Sequence, residues 1–437
     1  MEHKPSLKWG EIFHNIIVGL AVSIVMLNLG AALGILSERG AFAGMLSAGL
    51  IAIITSLFGG TRIQGSGTTA PMSTVTAVIV AYAVEQLPKE VAGISADHFI
   101  NIVLMMTAGL LILFGLLRLG RFIRYVPNLV ISGFMCGIAM IIWVLQFELL
   151  FGINRTPLEG PTETNIMIAM ATLAIAFISP LLLKRFSSKL ASFIPGTLVA
   201  LIIVSVLASF LSLPVAFLEV ENNIRNFEDF SIFLMSQIPT TINLEILMLA
   251  LPFAFKLAML CYIDTLLTSL IIDKMRGEPT RQNKELMAQG MATTAVSLVG
   301  GVPGAQSTVP SVLTVKEGAT MRLAGICAGL FVIIELFLLG DFMGYIPQAV
   351  FAGILIKVGY DVFDFKPLYA YFRTVIRDFQ NRKTRIIRHK EMGVLSGTAL
   401  MTAFIDLVIA VGVFTLGFHI MNWLLKNPQK LKDYVPS

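Results

Sequence analysis

Asp264 and Thr268 are the residues whose types and spacing point most directly to ion chemistry. Asp264 lies deep inside an apolar run, residues 246–272. An ionisable side chain is costly at such a depth in a membrane, so it indicates a functional site. Thr268 follows one helical turn later and faces the same side. A carboxylate and a hydroxyl are hard oxygen ligands of the kind that a sodium ion takes, and a proton could use the same carboxylate.

Two structural roles for Asp264 compete with this interpretation. Asp264 could cap a neighbouring helix, or it could pair with Lys256, which sits eight residues earlier on a similar face of the same run. Direct pairing over that separation would need a bent geometry, because eight helical residues span about 12 Å.

Two polar, glycine-containing segments interrupt the apolar runs. Residues 61–70 read TRIQGSGTTA and precede Pro71, and residues 302–308 read VPGAQST and precede a short apolar stretch, residues 309–315. Irregular backbone persists at membrane depth only where protein or a watery cavity satisfies its amides. Each segment is therefore predicted to be a strand that leads into a half-helix. Free amides at a helix N-terminus attract anions, so we expect the two helix ends to form one anion pocket.

The composition excludes an ordinary soluble domain. Of the 437 residues, 56% are hydrophobic and 14% are charged, whereas soluble domains carry about a quarter charged residues. About fourteen apolar runs, between Phe13 and Leu425, are long enough to cross a ~30 Å hydrocarbon core as helices. The first run is too long for the core of a signal peptide. The predicted fold class is an all-α polytopic membrane protein with about fourteen transmembrane segments.

The cysteines and histidines give no sign of catalysis. Cys136, Cys261 and Cys327 lie in apolar runs at unrelated spacings, and the five histidines are scattered. Neither a nucleophile with its base nor a metal-ligand spacing is present. We therefore expect no enzyme, no catalytic residues, no organic cofactor and no nucleic-acid partner.

Basic residues concentrate in alternate connecting segments. With an even number of spans both termini lie on one side, and the excess of lysine and arginine places that side in the cytoplasm. The segments assigned to the cytoplasm include residues 274–284, Lys316, Arg322 and residues 366–390, whereas the outer segments are mainly acidic. The predicted location is the inner or plasma membrane, with both termini cytoplasmic.

The sequence repeats two motifs in the same order. SLFGG at residues 56–60 returns as SLVGG 241 residues later, and YVP at residues 125–127 returns as YIP 220 residues later. Two halves of seven spans each must enter the membrane from opposite sides, which is the inverted-repeat plan of many transporters. We predict one transport domain, residues 1–437, with a first repeat at 11–215 and a second at 240–426.

Six ordered stretches resemble the sulfate-permease family of anion transporters. They are FGGTRIQGSGTTAPM, YVPNLVISGFMCGI, CYIDTLLTSLIID, NKELMAQG, YIPQAVFAGILIKVGYDVFD and DLVIAVGV, and the resemblance runs from about Ile16 to Leu424. The resemblance implies fourteen segments in two inverted repeats of seven, which form a core and a gate domain. It also implies that the anion lies between the half-helices of spans three and ten.

Carried over by position, the resemblance implies the residues that bind both ions. Thr69 and the amide of Ala70 would contact the anion from span three, and Ser307 would face it from span ten. Pro310 stands in the same pocket, where many sulfate-handling relatives have an arginine. The sodium ion would be held by Asp264, Thr268, Thr308 and the backbone around Gln306.

The sequence departs from the family pattern at several places. Most members continue into a cytoplasmic STAS domain, and because this sequence stops at Ser437 we expect no C-terminal STAS domain. Asn28 stands where the first span usually has a proline, and Lys256 replaces an apolar residue.

The leading functional hypothesis is sodium-coupled uptake of a small monovalent oxyanion, with bicarbonate favoured. Without the arginine, the helix ends and a bound sodium ion supply the positive charge of the pocket, and a doubly charged sulfate is harder to balance. The alternatives are proton-coupled uptake of sulfate or a dicarboxylate, and an uncoupled anion channel. The expected partners are a small inorganic anion, sodium as the coupling ion and the lipid bilayer, with a homodimer as one option for assembly.

Overall fold

The computed structural model describes residues 9–87, 94–153, 158–186, 196–217, 227–239, 242–379, 389–405, 407–424, 431 and 433. The two chain ends and residues 380–388, which the charge pattern assigns to the cytoplasm, lie outside the described residues. The described part is almost entirely helical, with sixteen α-helices, a 3-10 helix and two short strands.

The first eight helices are α1 (Trp9–Leu36), α2 (Ala41–Phe58), α3 (Ala70–Glu85), α4 (Ala96–Leu116), α5 (Asn128–Phe151), α6 (Thr162–Phe186), α7 (Gly196–Phe210) and α8 (Phe227–Ser236). The other eight are α9 (Leu244–Arg276), α10 (Gln282–Leu298), α11 (Thr308–Lys316), α12 (Leu323–Met343), α13 (Gln348–Val362), α14 (Phe365–Phe379), α15 (His389–Phe404) and α16 (Leu407–Leu424). The strands are β1 (Ser66–Thr68) and β2 (Gly304–Gln306), and the 3-10 helix is Leu119–Tyr125.

Several helices meet the length and composition that a membrane crossing requires. Helices α1, α2, α4, α5, α6 and α9 are long and apolar enough, and α3, α7 and large parts of α12 and α16 are shorter apolar helices. Trp9, Phe210 and Trp423 are each more than four-fifths exposed. Such large exposed apolar side chains suit a lipid environment rather than water. The protein is therefore a multi-pass membrane protein, while the count of fourteen spans and the repeat boundaries stay predictions.

The chain forms two compact units. The first contains Met1–Arg121 and Leu158–Ile354, and the second contains Phe122–Pro157 and Leu355–Ser437. In the second unit, α5 packs along α15, and the indole nitrogen of Trp143 donates a 3.0 Å hydrogen bond to the carbonyl oxygen of Ile356. All the residues predicted to bind ions lie in the first unit.

Close helix packing in the first unit supports the strands. Helices α1 and α2 approach so closely that a Cβ atom on Gly44 would lie 2.1 Å from the carbonyl oxygen of Gly30. Small residues permit this approach in membranes, where packing rather than water drives helix association. Met26 of α1 and Ala48 of α2 lie against Gly67 of β1. The α1–α2 pair therefore forms a wall behind the strands.

Helix α9 is the longest described element and packs against β2 and against α3 and α11. Asn243 caps its start, since the side chain accepts a 2.8 Å hydrogen bond from the amide of Ile246. Gly277 ends it with a φ of 70°, the left-handed conformation that glycine adopts without strain. Between these caps the helix is about 50 Å long, and its C-terminal half carries Asp264 and Thr268.

Candidate ion-binding site

The two interrupted segments meet in a short antiparallel ladder. Ser66 pairs with Gln306, Gly67 with Ala305 and Thr68 with Gly304. The sequence predicted a strand in each segment, and the structure places the two strands side by side. Because the strands are antiparallel, α3 and α11 leave from opposite ends of the ladder, with their N-termini toward it.

Glycine is required in the ladder because the backbones nearly touch. A Cβ atom on Gly304 would lie 2.0 Å from the carbonyl oxygen of Gly67, closer than real Cβ atoms approach any neighbour. The start of α11 is also fixed to the other segment. The amide of Ser307 donates to the carbonyl oxygen of Gly65 at 3.1 Å, and the hydroxyl of Ser311 donates to the same oxygen at 3.1 Å. The two segments therefore form one structural unit.

The residues predicted to bind the anion occupy the starts of the two helices. Thr69 is the N-cap of α3 and Ala70 is its first residue, and Ser307 is the N-cap of α11. Neither cap side chain hydrogen-bonds to its own helix, and the buried Thr69 hydroxyl has no hydrogen-bond partner of normal geometry among the described residues. The first-turn amides and the Thr69 hydroxyl are therefore donors that an anion can use.

Pro310 is also at the start of α11, but its contacts are structural. It is buried in the first turn and packs against Gly65, where an added Cβ would lie 2.6 Å from the Pro310 Cβ atom. Proline has no amide hydrogen, so its backbone cannot donate to an anion. Its contribution to the pocket is shape.

Asp264 lies next to the start of α3. Its carboxyl group interacts with the side chain of Thr69. Its Oδ2 atom is buried and has no hydrogen-bond partner of normal geometry among the described residues. A buried carboxylate oxygen without a partner is costly. This oxygen therefore marks a place where a cation or a proton would be stabilised.

Thr268 lies next to the start of α11, one turn along α9 from Asp264. The hydroxyl oxygens of Thr268 and Thr308 are 2.8 Å apart. One face of α9 therefore places the Asp264 carboxylate next to the start of α3 and the Thr268 hydroxyl next to the start of α11. Two of the four residues predicted to bind sodium, Thr268 and Thr308, are therefore in contact, and Asp264 lies one turn earlier on the same helix.

Gln306, the fourth residue predicted to bind sodium, is fully buried at the end of β2. Its backbone amide donates to the hydroxyl of Thr265 at 3.3 Å, and its side-chain Oε1 accepts from the hydroxyl of Thr61 at 3.3 Å. Its Nε2 has no partner in the part of the chain that the structure describes. Gln306 thus connects the ladder to α9, and its side-chain Nε2 is a donor, which cannot bind a cation.

The oxygen ligands suit sodium better than a transition metal. Among the described residues, no cluster of three histidine, cysteine or acidic side chains is placed to hold a metal. Asp264, Thr268 and Thr308 instead offer a carboxylate and two hydroxyl oxygens, which are hard ligands. The Oδ2 atom of Asp264, which is buried without a hydrogen-bond partner among the described residues, is available to bind sodium.

Sequence reasoning missed the contribution of Glu285 in α10. Glu285 is fully buried, and its Oε2 accepts from the amide of Thr61 at 2.8 Å and from the side chain of Gln64 at 3.4 Å. Its Oε1 accepts from Gln289, which in turn donates to the hydroxyl of Ser66 at 3.2 Å. Glu285 therefore holds the segment that leads into β1. The signal was present in the NKELMAQG stretch, as an acidic and an amide side chain one helical turn apart.

Three further polar residues were also missed, at the end of β1, in the first turn of α3 and on α9. The hydroxyls of Thr68 and Ser73 are buried and have no partner within the described ranges, and Thr265 binds the amide of Gln306. Threonine and serine are common in apolar helices, where they bond to their own backbone. Sequence alone therefore gave no reason to select these three.

Most of this chain is similar to proteins of known family. Residues 12–381 match the model of the sulfate permease family. The bicarbonate transporter BicA of Picosynechococcus sp. is 31% identical over 420 residues, which cover 92% of this chain and 68% of that protein. The putative sulfate transporter YvdB of Bacillus subtilis is 26% identical over 411 residues, which cover 91% of this chain and 71% of that protein.

Solved structures share the fold. The transmembrane domain of a cyanobacterial bicarbonate transporter BicA aligns with a TM-score of 0.75 and 27% identity, over 93% of this chain and 99% of that domain. Murine Slc26a9, an anion transporter in its inward-facing state, aligns with a TM-score of 0.69 and 16% identity, over 96% of this chain and 69% of that one. The family match, the identity to the transporters and the two discontinuous segments lead to one conclusion. The chain belongs to the sulfate permease family of anion transporters.

Proposed function

We propose that this protein imports bicarbonate together with sodium by alternating access. One observation carries the proposal. The Oδ2 atom of Asp264 is buried without a partner in the described part of the chain, beside Thr69 at the start of α3. One turn away, the Thr268 and Thr308 hydroxyls meet at the start of α11. Acidic and hydroxyl oxygens are thus gathered between two helix N-termini, which suits a cation and an anion bound as neighbours.

The cation side of the proposal rests on charge. A desolvated carboxylate is stabilised by a cation that replaces its lost hydration. Asp264 supplies the charge, and Thr268 and Thr308 supply neutral oxygen ligands that fix the position of sodium. The Thr268–Thr308 contact joins α9 to α11. A sodium ion held there would bring the two helices into one arrangement.

The anion side rests on the helix starts. Each helix N-terminus carries about half a positive charge, and the Thr69 hydroxyl and the Ala70 amide supply donors at the start of α3. Two half charges match one monovalent oxyanion, and sodium offsets Asp264. A divalent anion would leave one negative charge uncompensated. Bicarbonate therefore fits the charge balance better than sulfate, and a transporter named for bicarbonate is among the similar proteins.

Thr69 couples the two ions in this proposal. Its side chain interacts with the carboxyl group of Asp264. With sodium on Asp264, the Thr69 hydroxyl is free to donate to the anion. Without sodium, the carboxylate competes for that hydroxyl, and binding of the anion is weakened. Each ion would then raise the affinity for the other by the same factor, as linkage requires.

Proton-coupled uptake of sulfate is the second candidate, because YvdB, a similar protein, is named a putative sulfate transporter. In that case a proton rather than sodium would neutralise Asp264.

Uptake into proteoliposomes tests the proposal. Labelled bicarbonate and labelled sulfate are supplied with an inward sodium gradient, with an inward proton gradient, or with neither. We expect sodium to drive bicarbonate above its external concentration. Accumulation of sulfate driven by protons would support the second candidate, and equilibration without accumulation under every gradient would indicate a channel.

A further inference from the structure

A polar cavity lies outside the ion-binding site. It has a volume of about 620 Å³, within the range of small-molecule sites. It is formed where the α2–β1 connection meets the start of α10 and the start of α12. The residues that line it are Gly60, Arg62, Glu278, Arg281, Lys284, Met321, Arg322 and Leu323.

The charge of the cavity is strongly unbalanced. Four of the lining side chains are basic and one, Glu278, is acidic. Glu278 is already shared, since it lies 3.9 Å from Arg62 and 3.2 Å from Arg276. Like charges around a concave surface repel each other, and a low-dielectric wall focuses their field into the concavity. An anion in the cavity would relieve this repulsion.

Two of the basic side chains are available to bind a ligand. In the part of the chain that the structure describes, Arg281 and Lys284 form neither a side-chain hydrogen bond nor an ion pair, and both are exposed. Arg322 is held in place, because it donates to the carbonyl oxygens of Ser56 and Gly59 at 2.9 Å each. The cavity therefore combines one fixed guanidinium group with two cations that are available to a ligand.

We propose that this cavity binds a polyvalent phosphate anion, such as a polyphosphate group or a phosphomonoester. A guanidinium group can bind phosphate bidentately, through two parallel hydrogen bonds, and lysine adds a point charge. The excess of basic side chains calls for more than one negative charge on the ligand. The volume accommodates a ligand larger than a single oxyanion. The site lies on the face that the charge pattern assigns to the cytoplasm.

A ligand in this cavity would contact the segment that leads to the transported ions. Gly60 lines the cavity, and the next residue, Thr61, donates its amide to the buried Glu285. Thr61 also contacts Gln306 of β2. The cavity is thus linked to the ladder through Gly60 and Thr61. We therefore expect its ligand to change the rate of transport.

Binding is tested with the purified protein in phosphatidylcholine nanodiscs at physiological salt. Inorganic tripolyphosphate is the soluble probe, and calorimetry measures its affinity. The test variant is the double substitution Arg281→Gln with Lys284→Gln. The matched control is Lys184→Gln with Arg185→Gln, which removes the same charges from exposed positions at the end of α6. Gel filtration and a melting curve check that both variants fold.

We expect tripolyphosphate to bind the natural protein and the control alike, and to bind the test variant at least about tenfold more weakly. A second arm uses nanodiscs that contain phosphatidic acid, whose headgroup is a phosphomonoester, and measures retention of this lipid by native mass spectrometry. A loss confined to the lipid arm would identify a headgroup as the ligand, and a loss confined to the soluble arm would identify a free phosphate. The proposal would be overturned if, in both arms, the test variant bound its ligand as tightly as the control variant. It would also be overturned if both variants lost binding to the same extent.

Discussion

The hydroxyl groups of Thr268 and Thr308 lie 2.8 Å apart and join the C-terminal half of α9 to the first residue of α11. Forty residues separate them in sequence. Their contact is the point at which the acidic helix and the discontinuous helix can share one cation. Substitution of either residue therefore tests the proposed coupling directly.

Thr268→Val and Thr308→Val should each weaken the apparent affinity for sodium by about tenfold, because each removes one oxygen ligand and keeps the side-chain shape. Sodium dependence of uptake in proteoliposomes measures the effect. Thr294→Val is a matched control, since among the described residues its hydroxyl bonds only to the carbonyl of Gly290 in its own helix. Sodium affinities unchanged from the control would place the cation elsewhere.

Asp264→Asn should abolish accumulation driven by sodium while the fold survives. The substitution keeps the shape and one oxygen but removes the charge that attracts the cation. Sodium affinity should fall more than anion affinity measured at saturating sodium. Under proton coupling, the same variant imitates the protonated state and should still exchange anion across the membrane, without dependence on pH. If the variant concentrates bicarbonate with a sodium gradient, the carboxylate is structural.

Thr69→Val and Ser307→Ala should weaken anion binding without unfolding the protein. Each change removes a donor and little volume, and a lost hydrogen bond to a charged group costs about 1.5–3 kcal/mol, or roughly ten- to a hundredfold in affinity. The measurement is the concentration of bicarbonate at half-maximal uptake with saturating sodium. An unchanged value in both variants would contradict the anion position.

Glu285→Gln tests whether this residue positions the β1 segment. The substitution removes the charge that holds the Thr61 amide and the Gln64 side chain. We expect a loss of stability of about 1–3 kcal/mol. The apparent affinities for both ions should fall together, unlike the selective loss for Asp264→Asn. Exposed Glu163, replaced by glutamine, is the control. Normal affinities in a destabilised Glu285→Gln protein would make Glu285 purely structural.

Gly304→Ala should disrupt the ladder, because the new Cβ would lie 2.0 Å from the carbonyl oxygen of Gly67. Overpacking of this kind costs about 1–3 kcal/mol and separates the strands. The melting temperature and bicarbonate uptake should both fall. Gly109→Ala in α4 is the comparison, since its Cβ would meet nothing within 4 Å. A Gly304→Ala protein that melts and transports like Gly109→Ala would mean that the strands do not need close contact.

The roles of some buried polar residues could not be predicted from the sequence. Glu285 and Gln289 are buried and support the segment before β1 through hydrogen bonds to residues more than 200 positions away. Their roles depend on which element lies opposite them, and no local pattern encodes that. Pro310 illustrates the reverse case: its position near the anion pocket followed from the resemblance, but its packing against Gly65 became evident only from the fold.

The sequence by itself determined the membrane class, the interrupted segments and the identity of the ionisable residue in the C-terminal half of α9. These features follow from local chemistry. Long apolar runs are stable in lipid, and irregular backbone at membrane depth requires hydrogen-bond partners. A carboxylate among apolar residues is costly and therefore indicates a functional site. The tertiary structure decided which groups meet. Only the antiparallel register of β1 with β2 places Thr69 beside Asp264 and Thr308 beside Thr268, because hydrogen bonds between distant segments fix that alignment.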